Sequence, residues 1–159
     1  NCYFISDVSH LTWLPDRPYT AGEWGYVNGK GRSTTSEIYN TVDGPVYQTW
    51  MEDITEYKID APAGTYEVEL LMADVSRPAR QQANLLGKGD ERASAVSKRF
   101  DITICGEVVE QNFSPADNNR YLNACRRRYI VNNNDGCIDI RFTPLQGKPV
   151  LSGLKVRRL

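Results

Sequence analysis

From Thr65 the residues alternate in character. Tyr66, Val68, Leu70 and Met72 fall on one phase, Glu67 and Glu69 on the other. A period of two is that of a β-strand with one buried and one wet face. At Leu70-Leu71-Met72-Ala73 the alternation stops and both faces become apolar, so by its end the strand runs under a loop or a second layer. Just upstream, Glu56-Tyr57-Lys58-Ile59-Asp60 alternates as well. Ala61-Pro62-Ala63-Gly64 joins the two runs, with Pro at the second and Gly at the fourth position of a type I turn. The pattern predicts an antiparallel hairpin at the centre of a β-sandwich.

The same reading extends along the chain. Asn1–Val8 reads as an extended lead-in. Thr12–Gly31, with two prolines and four glycines, is predicted to hold no regular element. Ile38–Val42 fits a short strand or a helical turn. Val46–Met51 is predicted as a strand, with Val46, Gln48 and Trp50 opposite Tyr47, Thr49 and Met51. Asp74–Ser97 offers no strand, and a connection of that length is expected to be a functional loop, a partner contact or a small helical excursion. Phe100, Ile102 and Ile104 face inward on the next strand, and Gly106 turns the chain into Glu107-Val108-Val109. Asn123–Val131 alternates, Asn132–Gly136 carries hairpin-turn chemistry, and Ile138, Ile140 and Phe142 face the core on the return. Val150, Ser152, Leu154 and Val156 make a final strand. About nine short strands with hardly any helix is the pattern of an all-β protein, an antiparallel β-sandwich or jelly roll. There is no internal repeat.

The 159 residues suit one domain with its own core. A net charge of −1 gives no basic footprint for nucleic acid. No run of about 18 apolar residues predicts a membrane-spanning helix. The sequence opens on Asn1 and reads as a piece of a longer protein. Cys2, Cys105, Cys125 and Cys137 are widely spaced without a C-x-x-C pair, which argues against zinc or redox motifs and leaves four free thiols or one disulfide open. His10 is the only histidine, so a Ser-His-Asp triad or a His-based metal site would have to use it; a surface or packing role suits it better. No G-x-S-x-G elbow or phosphate loop is present, and no cofactor is implied. The acids fall on wet strand faces or in turns, where a solvated carboxylate is the default. Arg126-Arg127-Arg128 alternates in facing along its strand and so forms a solvated edge or interface, not one basic patch.

What remains distinctive is the loop Thr12–Gly31, which carries Trp13, Tyr19, Trp24 and Tyr26. Connecting loops are polar as a rule. An aromatic loop is either folded onto the core or displayed for binding.

Several stretches taken together carry a resemblance. Trp13-Leu14-Pro15-Asp16-Arg17-Pro18-Tyr19, Trp24-Gly25-Tyr26, Val46-Tyr47-Gln48-Thr49, Pro62 through Leu70, Arg99-Phe100-Asp101-Ile102 and Leu151 through Val156, in this order and spacing, resemble a malectin-like domain. More narrowly, the chain is similar to the C-terminal module of bacterial β-galactosidase-type enzymes of glycoside hydrolase family two. The resemblance covers residues 13–159 and leaves 1–12 as an extended lead-in or linker. It implies a jelly roll of the galactose-binding-like type, a carbohydrate ligand, a catalytic domain in the same polypeptide, and a periplasmic or extracellular setting. Malectin's Y-x-x-D loop resembles Trp13-Leu14-Pro15-Asp16, and its aromatic-Gly pair resembles Trp24-Gly25. Its aromatic pair after the central strand falls on Ser76-Arg77 here, and its late acid falls near Gln146, so malectin's own ligand does not transfer. The ligand-binding residues expected on this basis are Trp13, Asp16, Tyr19, Trp24, Tyr26, Arg77 and Gln146. They would form one cleft whose walls are the Trp13–Lys30 loop, Ser76-Arg77 and Gln146-Gly147-Lys148. Two functions follow. One is a non-catalytic sugar-binding module; the other is a structural module that packs against or dimerises the catalytic core of its parent.

Overall fold

The computed structural model describes residues 4–76 and 97–159. The expectation for the Asp74–Ser97 connection therefore falls largely outside the described residues. In chain order the elements are β1 (Phe4–Ile5), β2 (Thr12–Trp13), β3 (Trp24–Val27), β4 (Lys30–Ser33), α1 (Gly44–Tyr47), β5 (Thr49–Glu52), β6 (Glu56–Asp60) and β7 (Gly64–Met72). There follow β8 (Arg99–Ile104), β9 (Glu107–Phe113), a 3-10 turn (Asp117–Asn119), β10 (Cys125–Asn133), β11 (Cys137–Gln146), β12 (Val150–Leu151) and β13 (Gly153–Arg158). All the strand pairings are antiparallel. One layer is the five-stranded sheet β3-β6-β11-β8-β9, the other the three-stranded sheet β10-β7-β13. A third sheet, β12-β5-β4, and the small β1-β2 ribbon complete the β-sandwich.

The apolar phases are where the alternation put them. Val68, Leu70, Met72, Phe100, Ile102, Ile104, Ile138 and Ile140 are completely buried in one core cluster, and β7 passes from half-buried at Gly64 to buried on both faces from Val68 onward. Its Leu71 belongs to a second cluster with Ile38, Val46, Tyr47 and Ala73, so the segment around α1 is what covers the outer face of β7.

The connections differ from the sequence reading. β6 and β7 do not pair: β6 lies between β3 and β11, β7 between β10 and β13. Ala61–Ala63 is an arch that carries the chain from one layer to the other. The Tyr66 hydroxyl donates to the Pro62 carbonyl at 2.7 Å, and buried Asn133 donates its amide to the Ala61 carbonyl at 2.9 Å. Asn134–Gly136 is likewise an arch, from β10 in one layer to β11 in the other. An arch and a hairpin produce the same alternation, because each strand turns its apolar phase to the same core in both cases. The Cys105-Gly106 turn joins neighbours β8 and β9, with both residues at positive φ.

Three further elements depart from expectation. Val46–Met51 divides into α1 and β5: Pro45 sits in the first turn of the helix, where its missing N–H costs nothing, and neighbours Val46 and Tyr47 are both buried. The aromatic loop Thr12–Gly31 contains β2, β3 and the start of β4. Gly25 does not break β3 but admits the chain beside it, since a Cβ there would collide with the backbone of Arg17, Pro18 and Tyr19. The expected last strand breaks at Ser152 into β12 and β13, which join different sheets. The lead-in is tied down: Phe4–Ile5 pairs with Thr12–Trp13, and the buried Ser6 hydroxyl donates to the Asp43 carboxylate. Cys105, Cys125 and Cys137 are free thiols.

Three acids expected to be solvated are buried instead: Asp43, Glu69 and Asp74. Glu69, on the polar phase of β7, is 3% exposed. Lys155 lies 3.0 Å from its carboxylate, Arg128 3.2 Å and Arg126 3.3 Å. Burial raises its pKa, but these cations outweigh burial and hold the carboxyl below its ordinary value.

Candidate functional site

β3 is the edge of the five-stranded sheet and β13 the edge of the three-stranded one. A groove of about 1080 Å³ opens between them, closed along one side by β4 and β5 and along the other by the β2 ribbon with the chain that follows it. The groove thus lies along the flank of the sandwich between two sheet edges, not at its loop-bearing end.

Four of the expected residues meet there: Trp13, Asp16, Trp24 and Tyr26 all line it. Antiparallel pairing explains why. Trp24 and Tyr26 are two apart on β3, so they share a face, opposite Ile59 and Tyr57 of β6. The Trp24 and Tyr57 rings run nearly parallel, 13° apart with centroids at 6.5 Å. Arg17 caps the Trp24 ring, its guanidinium carbon 4.4 Å from the centroid, and is itself held by Glu23 at 3.1 Å. Trp13 reaches the opposite wall. There Gly153 makes room for it, since a Cβ at that position would stand 3.1 Å from the indole and 2.9 Å from Val46. Lys155 lies 5.8 Å from the Trp13 ring centroid.

Asp16 is the acid of the groove. Its Oδ1 accepts hydrogen bonds from the Tyr57 hydroxyl and from the Arg17 amide, each at 2.9 Å. The surrounding rings raise its pKa by desolvation, and those two hydrogen bonds pull the other way. Burial and the neighbouring carboxylate push the Tyr57 hydroxyl well above its ordinary pKa, so Tyr57 is a donor throughout the physiological range. Nothing here pairs a nucleophile with a base.

The structure also supplies members that the sequence reading did not single out. Trp50, Tyr57, Arg32, Ser152 and Lys155 line the same groove. Tyr57 reads in sequence as an ordinary core position, and it is indeed 5% exposed; only its hydroxyl reaches the site. Trp13 Nε1, Trp50 Nε1 and Ser152 Oγ are buried without a hydrogen-bond partner among the described residues. Such groups cost about 1–3 kcal/mol each when left unpaired.

Two expected residues, Tyr19 and Gln146, are elsewhere, and a third, Arg77, is not among the described residues. Tyr19 lies outside the groove, where its hydroxyl donates to Asp60 at 2.9 Å and Lys58 stands 5.6 Å from its ring centroid. Gln146 is at the far end of β11, donating to the Ser97 carbonyl at 2.8 Å. It is eight residues, or about 26 Å at strand rise, from Ile138, the residue level with Ile59 and Trp24. Ser76, the neighbour of Arg77, is engaged with Lys98, whose Nζ also contacts the buried Asp74 at 3.3 Å. Among the described residues, the groove is built by sheet edges, the β1-β2 ribbon and the chain that follows it. No group of three or more metal-ligating side chains occurs among the described residues.

The Malectin domain family model matches residues 3–153. Among solved structures, a β-glucuronidase from Bacteroides uniformis is 43% identical over 99% of this chain, with a TM-score of 0.85. The same organism's β-glucuronidase 2, covalently bound to cyclophellitol-6-carboxylate aziridine, matches at 42% and 0.85. This chain corresponds to only 17% of each of those chains. The plant receptor-like kinase FER shares the fold, with a TM-score of 0.70 at 15% identity, over 99% of this chain and 39% of that one. No curated protein matches.

Proposed function

This chain belongs to the malectin domain family, and from that premise we propose that it is a non-catalytic carbohydrate-binding module of a glycoside hydrolase, with the flank groove as its sugar site. The observation that carries the proposal is the lining of that groove. Trp13, Trp24, Tyr26 and Trp50 present aromatic surface around the Asp16 carboxylate, beside which Tyr57 contributes its hydroxyl. Sugar rings have apolar C–H faces that suit aromatic planes, and equatorial hydroxyls that suit a carboxylate and the unpaired indole N–H and serine groups. A small rotation of Trp13 or Trp50 would offer its N–H to an entering oxygen and recover part of the cost of leaving it unpaired. Affinity in the ~μM–mM range is expected, because a few such contacts barely exceed the cost of association.

The similarity to a part of a β-glucuronidase supports a glycoside hydrolase as the parent. The resemblance read from sequence points to a β-galactosidase type; the 43% identity favours a glucuronidase-like parent instead.

The competing reading is a structural module packed on the parent's catalytic body. It is favoured by Ile5, Val8 and Leu14, which are 54%, 64% and 65% exposed on and beside the β1-β2 ribbon. A glycan array followed by titration calorimetry separates the two. Sugar binding that is lost in Trp24→Ala and weakened in Asp16→Asn, with unchanged circular dichroism, supports the groove. Absence of binding to any glycan at millimolar concentration supports the structural reading.

A further inference from the structure

Beyond Arg32 the groove does not end. A second recess of about 450 Å³ adjoins it, and Arg32 lines both. Its chemistry is different. The first cavity is walled by rings; the second holds no aromatic residue and is built from Asn28, Lys30, Arg32, Glu52, Asp53 and Lys148 among others. The turn between β3 and β4 places it, with Asn28 and Gly29 both at positive φ, and the Asp53 amide bonds the Pro149 carbonyl at 2.9 Å to bring Lys148 alongside.

Its charges do not balance. Three cations face two carboxylates. Arg32 and Glu52 satisfy each other at 3.3 Å, which leaves Lys30 and Lys148 beside Asp53 alone. Neither lysine forms an ion pair with any described residue, and both are exposed. β3 sets the separation along the site: Asn28 is four residues beyond Trp24, about 13 Å at strand rise.

We infer that the groove and this recess form one composite site for an anionic glycan, with a sugar ring stacked among the aromatic residues and an acidic substituent further along the same glycan held by Lys30 and Lys148. The inference rests on the groove being a sugar site. The shared chemistry is a negatively charged oxygen group, a carboxylate or a sulfate. Lysine ammonium groups provide point charges with rotatable donors for either, and the Asn28 side chain adds a polar group at the rim.

The test is calorimetry on the purified chain with three tetrasaccharides of matched backbone: galactose, galacturonic acid and 6-sulfated galactose. At low ionic strength the acidic ligands should bind about tenfold tighter than the neutral one, as two partly screened charge contacts allow. That advantage should shrink on adding salt. The double variant Lys30→Gln/Lys148→Gln should bring the acidic ligands down to the neutral affinity and leave the neutral affinity unchanged. Trp24→Ala should weaken all three. Whichever acidic ligand binds more tightly identifies carboxylate or sulfate as the preferred group. Equal affinities, a preference for the neutral sugar, or an acidic preference that survives the double variant would each overturn the inference while leaving the groove as a sugar site. Binding of none of the three would overturn both. If the double variant were to fold poorly, the salt dependence of the unaltered chain still decides: an acidic preference that does not change with salt rules the recess out.

Discussion

Glu69 shows how far a single position can depart from its phase. Alternation assigns it to solvent, yet three cations from both flanking strands close over it. The register explains the convergence: Arg128 and Lys155 are its direct cross-strand partners on β10 and β13, and opposite charges directly across a pair attract. No pattern along one strand reveals this, because the partners are about 60 and 86 residues away and depend on pairing. Glu69→Gln should destabilise the domain by about 1–3 kcal/mol, since Arg126 and Arg128 can turn their heads to water and soften the loss of their partner. The pH dependence has a definite sign. A carboxyl held below its ordinary value contributes stability that is present above pH 4.5 and is lost as pH falls through its lower folded value. Urea midpoints at pH 7 and pH 3 should therefore differ less in Glu69→Gln than in the unaltered chain. Asp16 has the opposite sign. Its raised pKa favours the folded state at acid pH and opposes it as pH rises through that value. Asp16→Asn keeps an oxygen for the Tyr57 hydroxyl and should not lower the urea midpoint at pH 7; a clear drop would show that its charge is structural.

At the scale of elements, β7 and its partners explain what was legible and what was not. For β7, β8 and β11, strand existence and facing were readable because burial acts residue by residue: Tyr66, Val68, Leu70 and Met72 need one apolar side, and the shift to apolar residues on both phases at Leu71 marks where the α1 segment lies over the sheet. Leu70→Ala, at a fully buried centre, should cost about 2–5 kcal/mol, and Phe100→Ala, whose ring meets Phe113 and Phe142 edge to face, about 3–5. Unchanged denaturation midpoints would contradict the packing. Which strands pair was not legible. Pro62 and Gly64, or Asn134 and Gly136, reverse the chain equally well within a layer or between layers, and the choice is made by long-range partners such as Asn133 on the Ala61 carbonyl. The candidate site divides in the same way. Its rings were visible as an aromatic run that a mere connection does not need. Its location was not, because the sheet edges that form its walls come from residues more than a hundred positions apart in sequence, Trp24 on β3 and Leu154 on β13.

The whole molecule is a folded unit corresponding to 17% of an enzyme chain, and its chemistry fits that share. Glycoside hydrolysis needs two carboxyl groups flanking one bond, about 5–5.5 Å apart for retention or 6.5–9.5 Å for inversion, with one of them kept protonated. The groove offers a single carboxyl, Asp16, already accepting two hydrogen bonds. The other acids near it are committed: Glu52 to Arg32 and Glu69 to its three cations. Glu56 and Asp139 do lie together on the outer face of the five-stranded sheet, where burial and the Asp139 carboxyl raise the Glu56 pKa. A raised carboxyl beside another is the signature sought in a glycosidase, but here Arg141 bridges the pair and Lys58 also pairs with Glu56, and the pair lies on the opposite face of the sheet from the rings that would hold a sugar. The expected result is that the purified chain releases no nitrophenol from nitrophenyl glucuronide or galactoside above the buffer rate. Release that scales with protein and disappears in Glu56→Gln would make the outer face an active site and this domain an enzyme in its own right.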